Sequence, residues 1–484
     1  MKEKKAAFSI VVLTLILSLA LHWNKFNMDL RGSHIWRQTQ TQWNIINFHQ
    51  HDANILNPRV AHFNNNRDNI YRYEFPLMQW GIGMIHRVFG DSILITRISI
   101  FMIGIAALIG FYLLVLTLSR AHIVAGLSVW ALNFSPVFYY WTINPLPDNF
   151  ALCMGIWYLW ALVKSIQNDA AKYTLLSALF LCLAALSKLP FIVFGAATAC
   201  YFLIKLKRPE TRQGLFKFVL IYLLLLLPVL AWYAWVIPDW GTNPVVRGVL
   251  GGNLTWPEVQ EILDHHAKRS FPRQLLTPVV QFLFFPAFLL PFFRRKPIRT
   301  EVICLLASLL GVVVYFVFEF SAIGKAHDYY LMPFLPFLYL AVAYSIHAAW
   351  KVGWGAQVLV IAVLVVMPFQ CFDLTEKRWN EPAFGVSSDL YTYKNALRAA
   401  VPDSQKCIML NDNSNFILPY MVSKMGYVFR DDRLPAAWIK NLAEDHDVKY
   451  MYSDSRTVDQ REDVQALIDS IILVAGDIHV YKLK

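Results

Sequence analysis

Charge is scarce in this chain: 16% of its 484 residues are charged, against 57% that are hydrophobic. Mean hydropathy is accordingly +0.42, which excludes the polar surface of an ordinary soluble globular protein. Cysteine is scarce too, with six residues, most of them inside apolar blocks where they act as small hydrophobes. Only Cys407 lies in a clearly polar region and Cys371 at an apolar edge, so neither a disulfide framework nor zinc spacing is present. The period-two alternation of a membrane β-barrel is missing. Acidic residues are the minority sign, 33 against 44 basic, for a net charge of +11. The basic surplus sits in short loops between apolar blocks, which reads as positive-inside topology and not as a nucleic-acid surface.

What is present are apolar blocks of the length that crosses about 30 Å of hydrocarbon as helix, roughly 20 residues each. They fall near 6–23, 92–119, 121–140, 150–166, 174–187, 190–204, 218–238, 276–293, 301–320, 333–350 and 356–372, about eleven helices in all. Many of the 16 Trp, 22 Tyr and 34 Phe stand at block edges, as interfacial aromatics do. Met1–Lys5 followed by an apolar run reads as an uncleaved first helix and not as a signal peptide. Pro76–Phe89 is short, with Gln79, His86 and Arg87 on one flank, and reads as an amphipathic helix in the interface. Leaving it uncounted puts the basic loops at 205–217 and 294–299, with Arg120 and Lys351, on the cytoplasmic side. Four polar segments then face outward: 24–87, 142–149, 239–274 and 321–331. The expected organisation is a helical polytopic membrane domain over 1–372, with an outer loop at 24–90, followed by a small soluble α/β domain over 373–484 on the same outer side.

In that tail, strand-like runs at Cys407–Leu410, Val448–Tyr452, Ile471–Val474 and Ile478–Leu483 alternate with helical segments at Leu434–Glu444 and Gln460–Ile468. It has no phosphate-binding glycine loop and no nucleophile elbow, which makes it an accessory or acceptor-facing module, or plain structural support.

Chemistry concentrates in the outward segments. Ionisable groups at the mouth of a helical bundle are costly against lipid and usually face a watery cavity. His34-Ile35-Trp36-Arg37-Gln38 places an imidazole, an indole, a guanidinium and an amide within one turn; Arg37 has the fork that holds phosphate or carboxylate. Asp52, Asp29, Arg59, Arg72 and Glu74 share that loop, and the bland alternative for each is a solvated charge. Asp148 in PLPDNF opens a span and serves equally as a helix cap. Lys188 in LSKLPF lies between two apolar segments, with snorkelling as its plain alternative. Lys325 precedes His327-Asp328-Tyr329-Tyr330, which enters a proline-punctuated helix, and His265-His266 precedes Lys268 and Arg269.

The order of HIWRQ, EFPLMQW, PLPDNF, LSKLPF and HDYYLMPFLP resembles the GT-C superfamily of integral membrane glycosyltransferases, in its family 39-like branch of protein O-mannosyltransferases and lipid A aminoarabinose transferases. The resemblance spans most of the membrane region and little of the tail. It implies a GT-C fold and transfer of a sugar from a polyprenyl-phosphate donor to a hydroxyl of an envelope acceptor, whether lipid, glycan or protein, among membrane lipids. It also implies a bacterial inner-membrane location with the tail in the periplasm. Family members carry an Asp-Glu pair in the first loop, the Asp being the base. With Arg37 set on the family's following Arg, His34 and Ile35 occupy that pair here. The base is then His34, Glu74 or Asp148. Some relatives bind a divalent metal ion through Glu and His, for which Glu74 with His265 or His266 is the match in kind.

Such transfer needs a base at the acceptor and cations on the departing phosphate. Arg37, Arg72, Lys188, Lys268, Arg269 and Lys325 are the available cations, with Lys188, Arg37 and either Lys268 or Arg269 foremost. Trp36, Gln38, His327, Asp328, Tyr329 and Tyr330 are the candidate substrate contacts. No obvious nucleophile is present, which fits single displacement with inversion. A transporter or lipid flippase is the second reading, against which stand the lack of an inverted repeat and the few ionisable groups at midplane depth. A noncatalytic scaffold is the third.

Overall fold

Apolar runs in this chain become helices because a helix bonds its own backbone and needs nothing from lipid. The computed structural model describes residues 2–63, 68–207, 214–240, 254–289, 297–380, 386–412, 414–429, 434–454 and 457–484. Among these, eight helices are long and apolar enough to cross a membrane: Lys2–Lys25, Ile93–Ser119, Pro147–Asn168, Leu189–Lys207, Leu215–Trp240, Thr300–Phe318, Asp328–Val352 and Trp354–Asn380. Two shorter apolar helices, His122–Asn133 and Ala171–Ser187, stand beside them. Large exposed side chains along these helices, such as Leu223, Leu230, Leu310 and Phe369, are the surface that lipid would cover.

Two expected spans are built differently. The run at 121–140 breaks into His122–Asn133 and Pro136–Trp141, because Pro136 has no N–H for the helical ladder and Ser135 before it is extended. The run at 276–293 holds two short helices, Gln281–Phe284 and Pro286–Leu289, interrupted at Pro286; its last residues lie outside the described ones. Residues 208–213 and 294–296 of the two basic loops, and 241–253 of the polar segment 239–274, also lie outside the described residues. Leu77–Phe89 is a helix of 13 residues, about 20 Å long and too short to cross.

The chain divides into two compact units. The first comprises Met1–Met28, Tyr73–Met78 and Ile93–Lys377; the second comprises Asp29–Arg72, Gln79–Ser92 and Arg378–Lys484. In the second unit a five-stranded sheet has the order β2-β1-β3-β5-β4, with β1 Cys407–Leu410, β2 Gly426–Phe429, β3 Tyr450–Ser453, β4 Ile468–Ala475 and β5 Ile478–Leu483. β2, β1 and β3 run parallel, and β5 and β4 join antiparallel. All four residues of β1 are buried, as in a central parallel strand covered on both faces. Ile408, Leu410, Ile439, Leu442, Val448 and Met451 form the core beside it.

Segments of the first loop complete this unit. Gly426 N–H donates to the Ala61 carbonyl at 3.0 Å, and Phe63 N–H donates to the Gly426 carbonyl at 2.9 Å, so Ala61–Phe63 runs along β2. A Cβ at Gly426 would stand 1.8 Å from the Cys407 carbonyl oxygen, a contact only glycine avoids. Gly32, with φ +79°, passes Arg378 equally closely, and a Cβ there would lie 2.2 Å from the Arg378 oxygen. Asp29 is held by Lys394 and accepts from the Tyr420 hydroxyl at 3.2 Å.

Candidate active site

Asp148 stands in the first turn of the helix Pro147–Asn168, where Pro147 supplies the fixed φ of a helix start and the macrodipole favours an anion. The residue is 1% exposed. Capping does not exhaust its role, because Asp148 Oδ2 lies 3.6 Å from Lys188 Nζ, an ion pair with both side chains largely buried. At that separation the pair is looser than a close charge-assisted hydrogen bond. Lys188 sits in extended conformation where the helix Ala171–Ser187 ends and the 3-10 turn Leu189–Gly195 begins. Its ammonium is 4.9 Å from the Tyr330 ring centroid and 6.0 Å from that of Tyr329, within cation–π range.

Pro190 explains the break and its consequence. A residue with an N–H at 190 would bond the Leu186 carbonyl; proline cannot. That carbonyl accepts instead from the Phe75 N–H at 2.9 Å and from the Tyr233 hydroxyl at 3.1 Å. Phe75 stacks edge-on against Trp232, and Trp232 Nε1 donates to the Tyr73 carbonyl at 3.1 Å. Glu74, between Tyr73 and Phe75, is thereby fastened near the Lys188 turn, half-buried. Tyr233 lies within electrostatic range of both Glu74 and Asp148.

Tyr329 and Tyr330 pack against each other with centroids 4.7 Å apart, Trp141 meets Tyr329 edge-on at 5.7 Å, and the His327 ring lies 5.5 Å from that of Tyr330. His327 Nδ1 is bonded to the Ala322 carbonyl at 2.9 Å. Asp328 is buried at the start of the 3-10 turn Asp328–Phe334. One residue absent from the sequence-based set joins this cluster. Glu319, the C-cap of the helix Thr300–Phe318, is 7% exposed and lies within electrostatic range of Lys188. Its sequence surroundings, FVFEFS, offered one signal, a lone carboxylate ending an apolar run.

Apart from His265 and His266, the other candidates are exposed on the first unit or belong to the second. Lys268 and Lys325 are exposed and pair with Asp264 and Glu261, each at 2.6 Å; Arg269 is exposed as well. In the second unit His34, at φ 55°, precedes the helix Ile35–Gln50, and its carbonyl accepts from the N–H groups of Arg37 and Gln38. Arg37 is buried and donates to Gln40 Oε1. Gln38, fully buried, donates to the Ser33 carbonyl at 2.9 Å, while Trp36 is half-buried. Arg72 bridges the Leu56 carbonyl at 2.8 Å and Asn57 Oδ1 at 3.2 Å, which makes it a brace for its own loop.

The ligand set Glu74, His265 and His266 does not assemble: among the described residues no three His, Cys, Asp or Glu side chains gather to hold a metal ion. His266 shows why. Its Nδ1 is bonded to Ser270 Oγ at 2.9 Å and its ring packs against Phe316 at 5.2 Å. Burial, and then the neighbouring His265, lower its pKa to about 4. His265 is lowered by burial and by Arg269 and Lys325.

Residues 74–232, which include Glu74, Asp148 and Lys188, match the family model described as dolichyl-phosphate-mannose-protein mannosyltransferase. No curated protein matches the sequence. Among solved structures the chain is similar to ArnT from Cupriavidus metallidurans in the apo state, with TM-score 0.66 at 13% identity over 99% of this chain and 98% of that one. It is similar to ArnT bound to undecaprenyl phosphate, with TM-score 0.66 at 12% identity over 98% and 97%. The Archaeoglobus fulgidus oligosaccharyltransferase in its apo form gives TM-score 0.60 at 12% identity over 93% of this chain and 69% of that one. At these identities the likeness is one of fold, shared with ArnT over nearly the whole length of both chains.

Proposed function

We propose that this protein is an integral membrane glycosyltransferase that moves a sugar from a polyprenyl-phosphate donor to a hydroxyl of an envelope acceptor, with inversion. In this reading 1–372 is the catalytic membrane domain, 373–484 is a periplasmic α/β domain, and transfer occurs at the outer face of a bacterial inner membrane. The observation that carries the reading is the buried pairing of Lys188 with Asp148 beside Tyr329 and Tyr330. It stands on a fold shared with a protein solved with undecaprenyl phosphate bound.

The acceptor oxygen forms its bond to the anomeric carbon on the side opposite the phosphate. The bond from that carbon to the phosphate oxygen breaks, and its electron pair stays with the phosphate. The acceptor's proton passes to a carboxylate. Lys188 is the group that offsets charge gathering on the departing phosphate, an interaction worth most where water is excluded. Asp148 holds that ammonium in place before the donor arrives, and Glu74 takes the proton. His34 and Arg37, which lie in the second unit, are the sequence's other candidates for base and phosphate cation.

The test is radiolabelled transfer by purified protein in nanodiscs, offering a panel of polyprenyl-phosphate sugars with envelope extract as acceptor. Wild-type transfer that collapses roughly 100-fold or more in Glu74→Gln, Asp148→Asn and Lys188→Ala, all folded, is the expected result. No transfer from any donor, with lipid or sugar crossing sealed vesicles instead, would replace the enzyme by a transporter. Loss in His34→Ala with Glu74→Gln unaffected would move the base to His34.

A further inference from the structure

Arg97 is fully buried near the start of the helix Ile93–Ser119. A guanidinium at such a place is costly unless its donors are used, and here they reach two separate stretches of chain. Nη1 donates to Asn144 Oδ1 at 2.7 Å and to the Ile143 carbonyl at 3.2 Å, while Nη2 donates to the Met28 carbonyl at 3.0 Å. The bond to Oδ1 orients the Asn144 amide, whose Nδ2 donates to the Tyr140 carbonyl at 2.7 Å. Asn149 then donates to the carbonyls of Trp141 and Asn144 at 2.8 and 2.9 Å. The short connection between the helices Pro136–Trp141 and Pro147–Asn168 is thus braced from its middle, and it ends on Asp148.

We infer that Arg97, acting through Asn144, is a positioning residue: it sets where the Asp148 carboxylate stands and thereby holds Lys188 in register for the donor phosphate. This rests on the function proposed above. Arginine suits the task because the two terminal nitrogens of its rigid planar fork reach acceptors on two segments at once, whereas lysine brings all its donors on one freely rotating nitrogen. Asn144 has no place in the reaction itself, so any effect of changing it travels through the loop.

Arg97→Ala leaves buried carbonyls without their donor and risks the fold, so Asn144→Ala is the first variant and Arg97→Lys the second. Two readouts are taken on protein in nanodiscs. The first is the rate at which a small amine-reactive reagent labels Lys188, followed by mass spectrometry. Asn144→Ala is expected to raise it roughly tenfold, to the level of Asp148→Asn, because the carboxylate no longer holds the ammonium. The second is transfer: kcat falls roughly 10- to 100-fold in Asn144→Ala and in Arg97→Lys, with no further loss when either is combined with Asp148→Asn. A merely structural role would lower thermal stability, leave Lys188 labelling at the wild-type rate and multiply the loss in the double variants. Unchanged labelling overturns the inference whatever the activity. Increased labelling in a protein that transfers nothing upholds the positioning and rejects the enzyme.

Discussion

At Lys188 one ammonium faces two buried carboxylates, Asp148 at 3.6 Å and Glu319 within electrostatic range. An anion arriving as a donor phosphate competes with both. At pH 8, above the value of about 7 to which burial raises the Glu319 pKa, removing its charge, which lies at a helix C-terminus where a carboxylate is least favoured, strengthens the pull of Lys188 on phosphate. Glu319→Gln is expected to tighten polyprenyl-phosphate binding about three- to tenfold, the effect of one partly screened charge several ångströms away. Titration of tryptophan fluorescence with a short-chain polyprenyl phosphate reads it, and weaker binding would show that Glu319 supports Lys188. Lys268 and Lys325 present the opposite case. Each is spent on an exposed ion pair, and such pairs contribute about 0–1 kcal/mol. Lys268→Ala and Lys325→Ala are expected to change donor KM less than about twofold; a rise comparable to that of Lys188→Ala would return them to the site.

At the scale of elements, interruptions do the positioning. Pro190 ends a helix and frees the Leu186 carbonyl for Phe75, which brings the Glu74 segment to the Lys188 turn. Pro136 divides a run long enough to be one helix, and the connection braced by Arg97 follows from that division. The segment Trp256–Leu275 has its own response to pH. His266 titrates near 4 when folded and near 6.5 when unfolded, owing first to burial. The unfolded form therefore takes up the proton first. The contribution of His266 is complete above about pH 6.5 and declines as pH falls toward 4, reaching about 1 kcal/mol of loss near pH 5.5. Amide exchange in this segment, corrected for intrinsic rates, is expected to quicken between pH 7 and pH 5, and His266→Phe should flatten that dependence. Equal acid sensitivity in His266→Phe would assign it to another group.

At the scale of the whole molecule, residues of the first loop and of the tail build one unit. Ala61–Phe63 extends the sheet along β2, and Ser33 N–H donates to the Arg378 carbonyl at 2.9 Å. Removing 378–484 strips both partners from the loop. Trypsin is then expected to cut at Arg59 or Arg72 roughly tenfold faster than in the full chain, since exposure of the loop no longer requires opening the sheet. Cleavage at the full-chain rate would mean that the Asp52–Arg59 pair at 3.2 Å and the Arg72 brace hold the loop without the tail.

Much of this molecule was determined locally and could be read from residues in order. Runs such as Ile93–Ser119 must be helical in lipid whatever packs beside them, because only their own backbones can satisfy their hydrogen bonds. The strands Cys407–Leu410 and Ile478–Leu483 were legible at their observed bounds from their apolar and β-branched residues. β2 was not, since GYVF is short and owes its place to β1 on one side and Ala61–Phe63 on the other. Asp148, Lys188 and the tyrosine pair were legible as chemistry-bearing types at the ends of apolar runs, but their meeting was not. That needed a carbonyl freed by Pro190, a loop braced by Arg97 and a helix that ends at Glu319. Each of these acts between residues distant in the chain, where hydrogen-bond geometry and burial select the partner and no local pattern records it.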